Sequence, residues 1–331
     1  MLADNRSEVS EERDLTGGGP QGSTFGLWEY LSQSNSNADC ISESDRFKFV
    51  DDLTFLEIIY LLNVGLASFN VRQHVPSHVP SHNQIIPAQN LKSQQYLETI
   101  DEWTDKQKMK LNIKKTMNII FNFSKKYKFS TQLSVKNENI EMVNEVKLLG
   151  THITEDLKWN KNTSETVKKA YKRMQLLNRA AKFTNNTSDL KSIYLTYVRS
   201  ILDQSAVVWH SSLTTKNRRD LERVQKSAVR VILGGKYSTY KNGLEKLNLD
   251  DLNDRRTKIC LKFAKNCLKN EKVKDIFPKA EFKHKMRKRK QKTFKVKQIK
   301  TERYKKSAVP YMTELLNNDA AKRRKIMKET D

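Results

Sequence analysis

Two adjacent aspartates, Asp51 and Asp52, interrupt the otherwise apolar stretch FKFVDDLTF. Aspartate is disfavoured in strands, and its carboxylate is costly to bury, so the pair requires an explanation. Two carboxylates at a turn can bind divalent magnesium at a place where phosphate groups react. Aspartate is also a common turn residue in its own right. The pair is therefore compatible with a magnesium site or with a plain turn.

Two other sets of potential metal ligands occur in the sequence: His74, His78 and His82, and Cys40, Cys260 and Cys267. The histidines lie in a proline-containing stretch, where they would not share a helix face, so a solvated loop is favoured over a ligand set. The odd number of cysteines without a CxxC pair indicates reduced thiols in an intracellular protein and no zinc module. Cys260 and Cys267 are two helical turns apart and are predicted to share a buried helix face.

The first half of the chain carries signals for short strands, turns and two helices, the first of them in the stretch GLWEYLSQS, which lies outside the residues that the structure describes. Residues 1–16 are predicted to be disordered. The segments that follow are, in order, a glycine-rich turn at 17–26, a strand–turn–strand at 46–62 with the aspartates at its turn, a proline-rich loop at 70–90, a helix at 91–110, a strand at 117–123, a hairpin at 130–143 and a strand at 145–153 stopped by Gly150.

After residue 160 the apolar residues recur at helical spacing. Four apolar stripes begin near Val167, Leu190, Leu221 and Leu252, and they predict a helical bundle. The third helix is expected to begin at a cap at Thr214 or Thr215 and to stop at Gly234–Gly235. Trp209 and His210 are expected to pack between helices. The combination of strands and a helical bundle predicts the α+β class.

The formal charge of +24 is distributed unevenly. Residues 1–60 carry four basic and twelve acidic side chains, so the rest of the chain is strongly basic and points to a polyanion. Nucleic acid is the first candidate partner and an anionic membrane surface the second. The apolar run at 55–69 is too short and too polar to span a bilayer. Residues 279–306 hold fourteen Lys or Arg and two Glu, which is typical of a solvated spacer, a polyanion-binding arm or a nuclear-import signal.

Four motifs follow one another along the chain: Pro20-Gln21-Gly22-Ser23, Phe49-Val50-Asp51-Asp52, Lys115-Thr116 and Leu148-Leu149-Gly150. This ordered set resembles the reverse transcriptase of non-LTR (LINE-type) retrotransposons. The palm of that family carries a PQG block, an aromatic-x-Asp-Asp hairpin, a lysine-threonine block and a Leu-Gly hairpin called the primer grip. The stretches IYLTYVRSILDQSAVVWHSSL and LERVQKSAVRVILG are similar to the family's thumb and post-thumb region. The resemblance covers about residues 12–317.

The resemblance implies a role for each motif. Asp51 and Asp52 would bind the catalytic Mg²⁺. Residues Gln21, Gly22 and Ser23 would face the template base and the incoming deoxynucleotide. Lys115 would approach the nucleotide phosphates, or it is a surface lysine beside Lys114. Leu149 and Gly150 would position the end of the primer. The implied partners are an RNA template and a DNA primer, bound by basic thumb helices along the duplex backbone, with no membrane involved.

The resemblance also divides the chain into a partial palm at 17–155, a helical thumb and post-thumb region at 156–277, and a basic tail at 278–331 with a short terminal helix at 309–317. The family has a further palm aspartate and fingers upstream of the PQG block. Here Asp4 and Asp14 lie in polar sequence and are no credible substitutes. The expected function is an RNA-directed DNA polymerase, present as an N-terminally truncated fragment that is inactive alone. The alternative is a non-catalytic, basic nucleic-acid-binding remnant, in the nucleus or the cytoplasm.

Overall fold

The computed structural model divides the chain into two compact units, residues 1–144 and 145–331, which are described separately. The residues that it describes are 46–49, 52–55, 84–85, 91–123, 129–271, 273–280, 293–296, 298–299 and 301–329.

The first unit contains one long helix and four two-stranded pairings among its described residues. The helix, α1, spans Lys92–Lys106. The strands are β1 (Arg46–Phe49), β2 (Asp52–Phe55), β3 (Gln84–Ile85), β4 (Met117–Asn118), β5 (Phe129–Ser130), β6 (Ser134–Val135), β7 (Glu138–Asn139) and β8 (Glu141–Met142). The pairs β1–β2 and β6–β7 are antiparallel hairpins, whereas β3–β5 and β4–β8 are parallel. The predicted hairpin at 130–143 is thus confirmed over residues 134–139, with its turn at residues 136–137, whereas β5 and β8 pair with other strands.

The helix α1 packs on the β6–β7 hairpin through a small apolar core. Leu91, Leu97, Leu133, Val135 and Ile140 are buried in this core. A buried glutamine joins the two elements, because the Gln94 side-chain amide donates to the Ser134 carbonyl (2.9 Å) and accepts from the Ser134 amide (3.1 Å). The amide thereby satisfies both backbone groups of a strand residue, as a neighbouring strand would.

The second unit begins with a hairpin and continues as helices. The hairpin consists of β9 (Glu145–Leu148) and β10 (Thr151–Thr154). The α-helices are α2 (Asn160–Phe183), α3 (Thr187–Ile193), α4 (Ser200–Asp203), α5 (Ala206–Trp209), α6 (Thr215–Leu233), α7 (Tyr240–Leu247), α8 (Leu252–Cys267), α9 (Glu302–Lys305) and α10 (Ala308–Glu329). A π-helical segment, Tyr194–Arg199, joins α3 to α4 without a break.

The main core of the second unit lies between α2, α6 and the α3–α4 helix. The fully buried residues include Leu177, Tyr194, Leu202, Leu221 and Val224. The predicted boundaries of α6 are confirmed, because the Thr214 side chain accepts from the Asn217 amide (3.2 Å) and Gly234 ends the helix at a positive φ of 49°. Helical periodicity and capping therefore position this core.

A second apolar cluster joins α8 to the carboxyl-terminal helix α10. Cys260 and Cys267 are both buried there, as their spacing predicts, and they pack with Met312 and Leu316 of α10. The predicted short helix at 309–317 is in fact the first part of the much longer α10. Two phenylalanines, Phe277 and Phe294, are also buried in this cluster, so both flanks of the basic segment 281–292 are anchored.

The backbones that flank this basic segment are hydrogen-bonded to each other. An antiparallel bridge pairs Lys279 with Phe294. The Lys295 amide donates to the Pro278 carbonyl (2.8 Å), and the Ala280 amide donates to the Thr293 carbonyl (3.0 Å). The two flanks of the segment 281–292 are therefore held side by side.

The α+β class is confirmed. The stretch 145–153, predicted from its pattern as one strand, forms the two strands β9 and β10, because Leu149 and Gly150 reverse the chain, which agrees with the Leu-Gly hairpin implied by the resemblance. This hairpin lies in the second unit together with the helices. Among the described residues, every helix is too short or too polar to cross a membrane.

Candidate nucleic-acid interface

The stretch around the aspartate pair forms a tight antiparallel hairpin. Phe49 of β1 pairs with Asp52 of β2, which confirms the predicted strand–turn–strand arrangement. Asp51 lies outside the described residues, as do Gln21, Gly22 and Ser23.

Carboxylate is the ligand type that magnesium prefers, but the described residues contain no group of three or more His, Cys, Asp or Glu side chains that could hold a metal ion. Asp51 lies outside the described residues, so the magnesium site at this hairpin stays a prediction from the sequence.

Lys115 lies at the end of a 3₁₀ turn, Ile113–Lys115, in the first unit. The turn is closed by the Thr116 hydroxyl, which donates to the Asn112 carbonyl (3.0 Å). Lys114 and Lys115 are both exposed side by side. The geometry makes Lys115 available to an anion and equally fits a surface lysine.

The Leu149–Gly150 turn projects from the second unit at the tip of the β9–β10 hairpin. Both residues have positive φ (47° and 82°), as a two-residue type I′ turn requires. The φ of 82° at position 150 favours glycine, because residues with a Cβ atom rarely adopt it. The backbone of a leucine is strained at positive φ. The side chain of Leu149 is about half exposed. The turn thus presents an apolar side chain to solvent.

The hairpin is fixed to the helices behind it. The His152 amide donates to Oδ1 of Asn162 on α2 (3.2 Å). Glu145 forms an ion pair with Lys161 of α2 (3.4 Å), and Ile153 packs against the main core. The position of the turn relative to α2 is therefore defined by polar and apolar contacts on both strands.

One face of α6 carries a continuous row of exposed cations, which we call the α6 stripe: Lys216, Arg219, Arg223, Lys226 and Arg230. Their spacing of three and four residues places them along one side of the helix. Asp220 lies 3.5 Å from Arg223, and the Arg230 guanidinium stacks on the Tyr237 ring. The other three have no carboxylate within ion-pair distance among the described residues. The opposite face of α6 is buried in the main core.

The exposed side of α2 is also basic. Five exposed cations lie along it: Lys168, Lys172, Arg173, Arg179 and Lys182. Two aromatic side chains accompany them, because Tyr171 is partly exposed and Phe183 is 90% exposed. Tyr171 lies at the edge of the apolar stripe that begins near Val167. Cations interleaved with exposed aromatic rings are typical of surfaces that contact nucleic acid.

The α6 stripe could have been found from the sequence, because its residues repeat at positions 216, 219, 223, 226 and 230. The buried polar groups behind it could not. Gln225, on the inner face of α6, accepts from the Tyr194 hydroxyl (2.6 Å) and donates to the Tyr240 hydroxyl (3.0 Å) and the Asp250 carbonyl (3.0 Å). These partners come from distant parts of the chain. They hold α6 to its neighbours and so fix the orientation of the stripe.

A buried cation supports the same region from α8. Arg256 is fully buried, its Nε donates to the Leu252 carbonyl (2.9 Å), and its guanidinium lies over the Trp209 ring. Burial lowers the pKa of Arg256, whereas the charges of Asp203 and Glu222 favour its charged form. Trp209 and His210 are both buried, which agrees with their predicted role in helix packing.

Comparisons of the chain with models of protein families, with curated proteins and with solved structures gave no match.

Proposed function

We propose that this chain binds nucleic acid through its helical unit, as the palm and thumb part of a reverse transcriptase of the non-LTR type. The observation that supports this function best is the α6 stripe. It offers five exposed cations on a helix whose other face is locked into the core. The family assignment rests on the order of the four sequence motifs.

The dimensions of the stripe suit a polynucleotide backbone. From residue 216 to residue 230 an α-helix rises about 21 Å. Phosphates of one strand succeed each other about every 3.4 Å along a duplex axis, so the stripe could lie beside roughly six of them. Lysine and arginine contacts to phosphate hold a duplex in position without reading its sequence. Such a surface is expected of a protein that must move along its template.

Removing charge from the stripe tests this function. We expect the triple variant Lys216→Gln/Arg219→Gln/Lys226→Gln to bind an RNA–DNA hybrid at least about tenfold more weakly in moderate salt. Each lost phosphate contact should also reduce the dependence of log affinity on log salt by about 0.9. Fluorescence anisotropy with a labelled hybrid, repeated at several salt concentrations, measures both quantities.

A charge-matched control separates the stripe from the net charge of the chain. The variant Lys241→Gln/Lys269→Gln/Lys306→Gln removes three exposed lysines from other surfaces. It should bind the hybrid nearly as the unchanged protein does. Equal affinities and equal salt slopes for the stripe variant and the unchanged protein would exclude the α6 stripe as the binding surface.

Nucleotidyl transfer is a second candidate, favoured by the β1–β2 hairpin that places Asp52 opposite Phe49. In the family's reaction a primer 3′-hydroxyl attacks the α-phosphate of a deoxynucleotide on an RNA template. Asp51 and Asp52 would be the carboxylates of this reaction, with magnesium. Two carboxylates from one hairpin hold two ions poorly, so we expect little primer extension by this chain alone.

Primer extension on an RNA template, with magnesium and deoxynucleotides, decides between catalysis and binding alone. Absence of extension, together with salt-sensitive binding of the hybrid, supports the non-catalytic alternative. Clear extension that disappears in Asp51→Ala would instead show that the hairpin is catalytic in this chain.

A further inference from the structure

The outward side of α2 combines cations with exposed apolar side chains, and we call it the basic face of α2. At about 100° per residue, its members fall within roughly 140° of the helix circumference. They are all exposed, whereas Ala170, Met174 and Leu177 on the other side of the helix are buried in the main core. The basic face of α2 consists of Tyr171, Lys172, Leu176, Arg179, Lys182 and Phe183.

The cations of this face lie along its centre, and the apolar side chains lie at its edges. At helical spacing, Tyr171 falls on one side of the cations, and Leu176 and Phe183 fall on the other. The central row of cations consists of Lys172, Arg179 and Lys182. Glu165 pairs with Lys168, one turn before this row (2.9 Å). Among the described residues no carboxylate lies within ion-pair distance of the row itself, so it is available to an external polyanion.

Phe183 is the last residue of α2, and its side chain is 90% exposed. The chain leaves the helix directly after it, where Thr184 is extended and its amide donates to the Ala180 carbonyl (3.0 Å). The Thr184 hydroxyl accepts from the Asn186 amide (3.0 Å), and the Asn186 side chain caps α3 by accepting from the Ser188 amide (3.0 Å). These bonds fix the backbone of the corner, so the ring of Phe183 projects from a defined position.

We propose that the basic face of α2 binds single-stranded nucleic acid, with the phosphates along the cation row and an unpaired base stacked on Phe183. In a duplex the faces of a base are covered by its neighbours, so an exposed ring can stack only on an unpaired base. Cations that follow the backbone beside aromatic rings are the usual features of single-strand sites. The inference rests on the proposed function and adds the form of nucleic acid that this face takes.

The length of the face suits a short single-stranded segment. Tyr171 and Phe183 lie about 18 Å apart along the helix axis. Stacked nucleotides follow one another about every 3.4 Å, so the two rings span roughly five of them. Single-strand sites of this kind commonly cover about four to sixteen nucleotides.

An anionic membrane is the other partner that cations and aromatic rings together can meet. A helix that lies on a membrane inserts a continuous apolar face, and its long cations reach outward from the edges of that face. The basic face of α2 has the reverse order, because its cations lie in the centre and its apolar side chains lie at the edges. This order favours a polynucleotide over a membrane.

A substitution that removes stacking without removing charge tests the site. The probe is a labelled single-stranded DNA of about twelve nucleotides, followed by fluorescence anisotropy at several salt concentrations. We expect Phe183→Leu to bind it about five- to tenfold more weakly, because leucine is apolar but cannot stack on a base. The dependence of log affinity on log salt should stay the same, since no phosphate contact is lost. Phe183→Trp should keep the affinity of the unchanged protein.

Two further variants serve as comparisons. Phe263→Leu changes an exposed phenylalanine of α8 in the same way and should leave the affinity for the single strand unchanged. The triple variant Lys172→Gln/Arg179→Gln/Lys182→Gln removes the cation row. It should weaken binding and also lower the salt slope by about two, at about 0.7 for each phosphate contact with a single strand.

Equal affinities of Phe183→Leu and the unchanged protein for the single strand would overturn the proposal. If the α6 stripe variant loses the RNA–DNA hybrid while Phe183→Leu still binds the single strand fully, the proposed function is retained and this site is rejected. Sedimentation with vesicles of phosphatidylserine and phosphatidylcholine in equal parts tests the other partner. A loss of vesicle binding in Phe183→Leu, with binding of the single strand unchanged, would assign the face to a membrane and overturn the proposal.

Discussion

The buried His210 links the core of the second unit to pH. Its Nε2 lies 3.3 Å from the Thr257 hydroxyl, its ring packs edge-on against Tyr311, and Nδ1 has no hydrogen-bond partner among the described residues. Burial, with the positive charges of Arg256 and Arg218, lowers its pKa from 6.5 to about 3. The His210 imidazole is therefore still neutral in the folded protein at the pH where it begins to bind a proton in the unfolded chain.

This difference makes the protein less stable in mild acid. Between pH 6.5 and 3 the unfolded chain binds a proton at His210 that the folded chain does not, so the unfolding free energy falls as pH falls. We expect the unchanged protein to lose about 2 kcal/mol more than His210→Gln between pH 7 and pH 5. Urea unfolding at the two pH values measures this. An identical pH dependence in both proteins would contradict the assignment, whatever the difference in their absolute stabilities.

Local signals explain which residues could be assigned from the sequence. The Thr214 cap, the Gly234 stop and the buried pair Cys260 and Cys267 depend only on spacing within one helix, and all agree with the structure. Gln225 could not be assigned in this way. Its three partners become neighbours only when separate helices pack, so its place on an apolar stripe gave no indication of them.

The same distinction holds for whole elements. Helices were predictable because an apolar stripe recurs every three or four residues. α6 begins and ends at its predicted cap and stop, and α8 begins at Leu252, where the fourth stripe begins. The strand pattern at 145–153 did not indicate the hairpin β9–β10, because leucine is not a typical turn residue, whereas the resemblance implied a Leu-Gly hairpin at Leu149 and Gly150. The parallel pairs β3–β5 and β4–β8 join segments that are far apart in sequence, so no local pattern indicates them.

Leu149 is an unfavourable residue for the β9–β10 turn, so the role of its side chain can be tested by substitution. Asparagine followed by glycine is the preferred pair for a type I′ turn, so Leu149→Asn should raise the unfolding free energy by about 0.5–1 kcal/mol. Chemical denaturation measures this change. If the exposed Leu149 side chain contacts a primer end, the same variant should bind a primer–template hybrid more weakly while being more stable.

Gly150→Ala provides the matched control in the same turn. It adds a Cβ at a φ of 82° and 2.6 Å from the Gln204 amide, so it should destabilise the hairpin. A loss of stability in Leu149→Asn would contradict this prediction, because the backbone angles of the turn favour asparagine over leucine at position 149.

At the scale of the whole molecule, acidic and basic residues are concentrated in different parts of the chain. The acidic first sixty residues contrast with a second unit whose helices carry the α6 stripe and the basic face of α2. The sequence composition predicted a polyanion partner, and the helices show which faces are free to meet one. Composition could not show this, because a cation count does not distinguish a row on one face from scattered charges.

The bridge between Lys279 and Phe294 brings together the two ends of the basic segment 281–292. The backbones of residues 280 and 293 are already hydrogen-bonded to each other. The Phe294 backbone amide donates to Oδ1 of Asn317 on α10 (2.9 Å), and Nδ2 of Asn317 donates to the Phe294 carbonyl (3.2 Å). A short turn would suffice to join residues 280 and 293, so residues 281–292 are not required to bring α10 back to α8. We therefore expect that this segment, which holds seven Lys or Arg residues, can be shortened, lengthened or replaced without changing the packing of α8 against α10.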